Sequence, residues 1–320
     1  MERAFVLLAA YIIDLVVGDP RWLTHPVVYM GRAIKWLENN IRHAFPKEEQ
    51  LRRAGIFLPI LLVGGSFLFV WLLLKALALI HPWLAFVVEA WLISTTIATK
   101  GLAQAGREIY QLLQQGDLEG ARRALSMVVG RDTQFLNERE VSRGAVETVA
   151  ENIVDAILSP LFYAALGGAP LAMAYRAANT LDSMVGYKND KYRNLGWASA
   201  RFDDLANYIP ARLAAIVLTG VSWIMRYNSR GCRDMIRRDA RLHPSPNSGF
   251  TEAGVAGALE IQLGGLNYYQ GIPSKRAKLG DPVRPIEPED IRRTISLMHG
   301  TAFFFLLFSL LAVLFVSLLT

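Results

Sequence analysis

Residues 56–74 and 294–320 contain no Asp, Glu, Lys or Arg, and each run is long enough as a helix to cross a hydrocarbon core about 30 Å thick. Weaker apolar stretches alternate with polar ones elsewhere. Together the pattern predicts about six membrane helices, near residues 4–17, 56–80, 82–99, 153–178, 206–225 and 295–319. Glu89 interrupts the third, Gly167 and Gly168 with Pro160 and Pro170 interrupt the fourth, and Arg212 interrupts the fifth. A charge or a helix breaker at membrane depth has to pack against protein or line a cavity, so these three are expected to be broken, re-entrant or internal to a bundle. The intervening polar segments, 18–54, 100–152, 179–205 and 226–293, hold nearly all the charge. The predicted fold is an all-α polytopic integral membrane protein, one membrane-embedded domain over 1–320 with substantial cytoplasmic loops.

Composition agrees with that class. Hydrophobic residues make up 52% of the chain and charged residues 19%, a balance that excludes a purely soluble enzyme. The net charge of +6 fits basic cytoplasmic loops better than nucleic-acid binding, which is discounted. The same rule places segments 18–54, 100–152 and 226–293 inside, with the N-terminus outside. Segment 179–205, with Lys188, Lys191, Arg193 and Arg201, falls outside on a six-span count and inside if the fourth element turns back at Gly167 and Gly168. Arg3 and the apolar residues 4–13 imitate a secretory leader. Asp14 interrupts that run, and Gly18-Asp19-Pro20-Arg21 stands where small cleavage-site residues belong, so a retained helix is predicted. The single Cys232 excludes an internal disulfide and any cysteine-based zinc or redox motif. No P-loop, H-E-x-x-H or G-x-S-x-G is present, and transport has only Glu89 and Arg212 as candidates for a buried ion path.

Chemistry concentrates in three places. In NEREVSRGAVETVAENIVDAILSP, residues 137–160, Asn137 and Glu140 form a capping-box pattern, and Arg143, Glu147, Glu151 and Asp155 recur every fourth residue on one helix face. Aligned carboxylates repel unless a cation or proton lies between them, and Mg²⁺ takes such oxygen ligands when it bridges to phosphate. The alternative is a solvated face with an Arg143–Glu147 ion pair worth about 0.2–0.5 kcal/mol. Segment 179–207 gathers Asn179, Asp182, Asp190, Asp203 and Asp204 with Lys188, Lys191 and Arg193, a set suited either to Mg²⁺ and phosphate or simply to making turns. His25 and His243 each precede a proline, which stiffens the backbone carrying the ring. Asp19 is placed to orient His25, and Asn247 and Glu252 to orient His243 or bind amides, whereas His43, His81 and His299 have no supporting pattern.

Seven motifs in order carry a resemblance: GDPRWLTHPVVYMGR, GRDT, EVSRGAVETVAENIVDAILSPLFYAALGG, YRAANTLDSMVGYKN, FDDLANYIPARL, HPSPNSGFTEAGVAGALEIQLGG and NYYQG. Over most of its length the chain resembles the cobalamin-biosynthesis adenosylcobinamide-phosphate synthase family, CobD/CbiB. The resemblance implies amide-bond formation between a propionate carboxylate of adenosylcobyric acid and aminopropanol or its phosphate, using ATP and Mg²⁺, at the cytoplasmic membrane. Lipid bilayer is then a partner, nucleic acid is not, and an oligomer is allowed. On this reading His25, His243 and Glu147 are catalytic candidates. Asp19, Arg131, Asp132, Asn179, Lys188, Asp203, Asp204, Asn247 and Glu252 are candidates for substrate contact, and Glu151, Asp155 and Asp182 for Mg²⁺. Two alternatives stay open: a membrane prenyl or phospho-alcohol transferase with Asp-rich Mg²⁺ sites, and a non-catalytic regulatory membrane protein of the same superfamily.

Overall fold

A computed structural model describes residues 2–18 and 24–319. In chain order the first helices are α1 (Glu2–Val16), α2 (Pro26–Ala44), α3 (Glu48–Ala54), α4 (Phe57–Ile80), α5 (Pro82–Ser94), α6 (Thr99–Gln114), α7 (Leu118–Ser126) and α8 (Glu138–Ile153). A π-helical turn, Val154–Leu158, leads into α9 (Ser159–Val185), which is followed by α10 (Trp197–Ala206), α11 (Tyr208–Ile224), α12 (Ser229–Asp239) and α13 (Ser248–Leu259). Strands β1 (Leu263–Tyr269) and β2 (Ile272–Leu279) precede the last helix, α14 (Glu289–Leu319).

The helical membrane architecture stands, but the span count changes. Among the described residues four stretches are long and apolar enough to cross a bilayer: Glu48–Ile80, Pro82–Gln114, Glu138–Val185 and Glu289–Leu319. A fifth exists if α10 and α11 act as one interrupted span. The predicted first span is the one that falls short: α1 has 15 residues, and at about 1.5 Å per residue it covers less than the bilayer core. The chain also contains an antiparallel β-hairpin, pairing Leu263 with Leu279 and Tyr269 with Ile272, where the sequence suggested only a polar segment. Contacts divide the chain into two compact units.

The first unit comprises Met1–Ala98, Ser159–Asn207 and Phe308–Thr320. Its interior includes Leu7, Ile34, Leu58, Ile93, Leu161 and Leu181, all fully buried, while Ile60, Phe69, Leu79 and Trp83 point outward. Large apolar side chains on the outside are expected where lipid is the solvent. The predicted break in the fourth element is present: Gly167 has φ −143° and Gly168 has φ +67°, the left-handed region that favours glycine. Each exposed helix end at the break is met by a charge of the sign its dipole favours. Arg3 Nη1 donates to the Leu166 carbonyl at 3.0 Å, and the Ala169 amide donates to Glu89 Oε1 at 3.2 Å. Glu89 is therefore a helix cap and not a member of an ion path. A Cβ at Gly168 would collide with Glu89 Oε1. Gly168→Ala is accordingly expected to lower stability by about 1–3 kcal/mol. Gly64→Ala, where a Cβ meets nothing within 4 Å, serves as control in the same detergent melt; equal melting of the two variants would refute the capping account.

The second unit comprises Thr99–Leu158 and Tyr208–Leu307. Ile109, Leu125, Ile153 and Ile157 are among its fully buried side chains. The capping box at the start of α8 is formed: the Glu140 amide donates to Asn137 Oδ1 at 3.0 Å, and the Asn137 amide to Glu140 Oε2 at 2.9 Å. The start of α14 is pinned by Asp290, which is completely buried and accepts from Arg284 at 2.5 and 2.8 Å and from Arg293 at 2.8 Å. Arg212, the other ion-path candidate, lies 3.5 Å from the Tyr208 ring centre and 4.5 Å from that of Phe250, and donates to Asn247 Oδ1 at 2.7 Å. Its charge is held by rings and an amide, which is packing and not conduction.

Candidate functional site

In the second unit the motifs that looked separate in sequence meet around Glu147. Its side chain is 7% exposed, and it accepts from Arg131 Nη2 at 2.7 Å, from Arg143 Nη1 at 3.1 Å and from the Gly264 amide at 2.8 Å. The Arg143–Glu147 pair is thus present, but the face is buried and not solvated. Asn267 Oδ1 accepts from both arginines, at 2.5 Å from Arg131 and 3.0 Å from Arg143. Arg143 also donates to the carbonyls of Gly264 and Leu266, so α8 and β1 are tied through one guanidinium fork. Gly264 sits at φ +80° beside a register irregularity, a backbone shape that presents both its amide and its carbonyl to this cluster. With its oxygens committed to two cations and an amide, Glu147 is an organising residue here and not an open base or metal ligand.

Asp132 closes the far end of the hairpin. Gln270 and Gly271 have φ of +52° and +77°, the pattern of a two-residue type I′ turn, and their amides donate to the Asp132 carboxylate at 3.1 and 2.7 Å. The Asp132 amide returns a bond to the Tyr268 carbonyl at 2.8 Å. Arg131 and Asp132, marked as substrate contacts from sequence, are both used to hold the hairpin.

Beside this framework lies a buried imidazole–carboxylate pair. His243 Nε2 is 3.2 Å from Glu252 Oε1, with side chains 7% and 3% exposed. The His243 Nδ1 side faces its own turn, where the Ser245 amide donates to it at 3.0 Å. Burial raises the Glu252 pKa to about 7, and the negative charges of Glu151 and Glu147 push the same way against the attraction of His243. Burial alone would lower the His243 pKa, but Glu252, with Glu151 adding to it, holds it above the ordinary histidine value. Both shifts mean that the pair retains a proton near neutral pH. Arg276 is within the field of Glu151, Glu252 and Glu147 and donates to the Tyr269 hydroxyl at 2.9 Å. Arg143 is legible in the sequence only as an ion-pair partner of Glu147, and Asn267, Gly264 and Arg276 were not singled out by sequence reasoning; the glycine–glycine step at 264–265 and the alternation after it were the available signals.

In the first unit Asn179, Asp182 and Asp203 come together where α9 and α10 end a polar connection. Asp203 is 8% exposed; its Oδ2 accepts from Asn207 Nδ2 at 3.0 Å, Asn179 is also within bonding reach, and Asp182 is the like charge that weighs most on it. Among the described residues, Oδ1 of Asp203 and the fully buried hydroxyl of Ser199 have no hydrogen-bond partner. Asn207 is held in turn by Ser159 and Tyr175, at 2.5 and 2.9 Å. Asp204 lies 3.8 Å from Arg201 and in the field of Lys188, which is exposed. An orphaned, buried carboxylate oxygen beside a second carboxylate is a fit for a cation.

The remaining predicted residues fall elsewhere. His25 caps α2, its Nδ1 accepting from the Val27 amide at 3.1 Å with Pro26 at the first helical position. His81 does the same for α5 through the Trp83 amide at 3.2 Å, with Pro82 following, so the His-Pro step at the two sites is a helix start. Asp19 lies outside the described residues. Asn247 stands at the start of α13 with its oxygen taken by Arg212. Glu151 and Asp155 are half-buried in the second unit, Asp155 on the π-helical turn, whereas Asp182 is in the first. Among the described residues no group of three or more His, Cys, Asp or Glu side chains is placed to hold a metal ion.

Residues 7–298 match the family model described as CobD/Cbib protein. Over 299 residues, 93% of each chain, the sequence is 48% identical to a protein of Geobacter metallireducens named cobalamin biosynthesis protein CobD. It is 46% identical over 289 residues to cobalamin biosynthesis protein CbiB of Salmonella paratyphi B, covering 90% of this chain and 91% of that one. A CobD protein of Halalkalibacterium halodurans is 44% identical over 307 residues, covering 96% and 95%. No solved structure matches the chain.

Proposed function

Because the chain belongs to the CobD/CbiB protein family, we propose that it acts in cobalamin biosynthesis as a membrane enzyme, joining a propionate carboxylate of adenosylcobyric acid to aminopropanol or its phosphate. A carboxylate is a poor acyl donor at neutral pH. ATP would supply the activation: attack of the carboxylate on its γ-phosphorus breaks the β–γ anhydride bond and releases ADP, and attack by the amine nitrogen on the acyl phosphate forms the amide and expels phosphate. The attacking amine must first lose a proton. The observation that carries the chemical reading is the buried His243–Glu252 pair, an imidazole within 3.2 Å of a carboxylate, the carboxyl pushed up to about 7 by burial and the imidazole held above its ordinary value by that carboxylate. With Nδ1 occupied by the Ser245 amide, the pair takes up the proton through Nε2 of His243 and the Glu252 carboxylate that orients the ring. The Arg131–Glu147–Arg143 framework fixes the neighbouring hairpin.

Asp203, whose Oδ1 has no hydrogen-bond partner among the described residues, and the neighbouring Asp182 would hold Mg²⁺, an ion that takes one or two carboxylates and would supply charge neutralisation for the phosphates. Asn179 steadies the pair, and Lys188 is a candidate phosphate contact. The location that suits these substrates is the cell membrane, with the chemistry on the cytoplasmic side.

Purified protein incubated with MgATP, adenosylcobyric acid and aminopropanol phosphate, then with free aminopropanol, is expected to release phosphate and a corrinoid amide. Absence of product with both amines would overturn the synthase reading. Asp203→Asn keeps the side-chain shape and is expected to raise the Mg²⁺ concentration for half-maximal rate by about tenfold or more. An unchanged Mg²⁺ titration in an active Asp203→Asn protein would remove the ion from that position.

A further inference from the structure

Helix α12 carries a charge pattern that the proposed chemistry does not use. Arg230, Arg233 and Arg237 recur at intervals of three and four residues on one face of α12, flanked by Arg226 in the left-handed turn before the helix and Arg241 in the 3₁₀ turn after it. All five are exposed. Arg233 is paired with its exposed neighbour Asp234 at 2.9 Å, and among the described residues the other four have no carboxylate within ion-pair distance. Arg238, off the stripe, is by contrast bound by Asp239 and Asp281. Like charges lined up on one face repel, so the stripe is costly unless an anion covers it.

Its surroundings indicate which anion. The opposite face of α12 is buried at Cys232, whose Sγ lies 3.6 Å from the Thr219 hydroxyl of α11, so α12 runs beside the last turns of that helix. There α11 turns Ile209, Ile216, Trp223 and Ile224 outward, each at least half exposed. An apolar face ending in tryptophan, continued directly by a row of arginines, is the arrangement of a segment lying at the headgroup level of a bilayer. From Arg230 to Arg237 the row extends about 10 Å along the helix, with Arg226 and Arg241 beyond its two ends, a row longer than one phosphate and suited to several in a plane.

We propose that the arginine stripe of α12 is a docking surface for the phosphate groups of anionic lipids, contacted while the outward face of α11 meets the acyl chains. Each arginine near an anionic surface contributes about fivefold in affinity, and high salt screens it.

The test measures lipid retention, independently of any synthase activity. Full-length protein in detergent is exposed to an equal mixture of phosphatidylglycerol and phosphatidylcholine, and bound lipid is counted by native mass spectrometry. Wild-type protein is expected to prefer phosphatidylglycerol, and the triple variant Arg230→Gln, Arg233→Gln, Arg237→Gln to lose that preference. The corresponding triple lysine variant should keep it, because the headgroup is held by charge. The single variant Arg237→Gln, expected to weaken the preference about fivefold, keeps the test decisive if the triple glutamine protein does not fold. Glutamine variants that retain the wild-type preference would overturn the proposal. So would displacement of the lipid by inorganic phosphate but not by chloride at equal ionic strength, which would make the stripe a site for soluble phosphate.

Discussion

Glu147→Gln is expected to be among the most destabilising single substitutions in the second unit, lowering stability by about 3–5 kcal/mol. The carboxylate is the only group among the described residues that pairs ionically with Arg131 and Arg143, whose side chains are 6% and 11% exposed. Removing one partner of a buried pair leaves a cation that has lost its water without gaining an anion, and here two cations are left. An amide also cannot accept at both oxygens from Arg131, Arg143 and the Gly264 backbone. The hairpin should loosen with it, because the same arginines hold Asn267. A melting curve in detergent, read with hydrogen exchange across residues 263–279, checks both effects. A Glu147→Gln protein that melts like wild type, with the hairpin still protected, would show that the arginines do not depend on it.

The second large effect concerns rate. His243→Gln is expected to lower turnover by about 10²–10⁴, the usual contribution of a positioned proton acceptor. The pH dependence follows from the shifts. A base works deprotonated, and the His243 pKa is raised, so wild-type rate should rise with pH through a midpoint above the ordinary value near 6.5. Glu252→Gln removes the carboxylate that stabilises the imidazolium, so the midpoint should move to lower pH while some activity remains. That movement separates a positioning role for Glu252 from a merely structural one. If His243→Gln turns over at the wild-type rate with the wild-type profile, the ring is not the proton acceptor; an unmoved midpoint in Glu252→Gln would detach the carboxylate from it. His25→Gln, by contrast, is expected to affect stability through the α2 cap by about 1 kcal/mol, with the pH profile intact.

What could be read from the chain was what local pattern encodes. Charge-free runs became α4 and α14, the capping box opened α8, and Gly167 with Gly168 broke α9, because each depends on residues a few positions apart. Glu252, nine residues past His243, was also within reach of such reasoning. The partners of Glu147 were not: Arg131 is 16 residues away and Gly264 is 117, and only the hairpin brings the latter in. The hairpin itself was hidden, since short strands flanked by glycines resemble a loop in hydropathy. His25 was given a chemical role and His81 none, although the two make the same helix-starting bond; proline context alone cannot separate a cap from a reactive ring.

The clamp at the break in α9 bears on how an apolar unit tolerates its charges. Arg3 and Glu89 belong to α1 and α5, on either side of the break in α9, and Arg3 is the cation whose charge acts on Glu89. A carboxylate entering a bilayer alone meets an insertion penalty of about 2.5–3.5 kcal/mol. In the folded unit that cost is offset in two ways, by the Ala169 amide that Glu89 accepts from and by the field of Arg3, which itself is held at the Leu166 carbonyl. The acidic residue that looks like a liability in the third apolar stretch is thereby what lets α9 change direction inside an apolar unit.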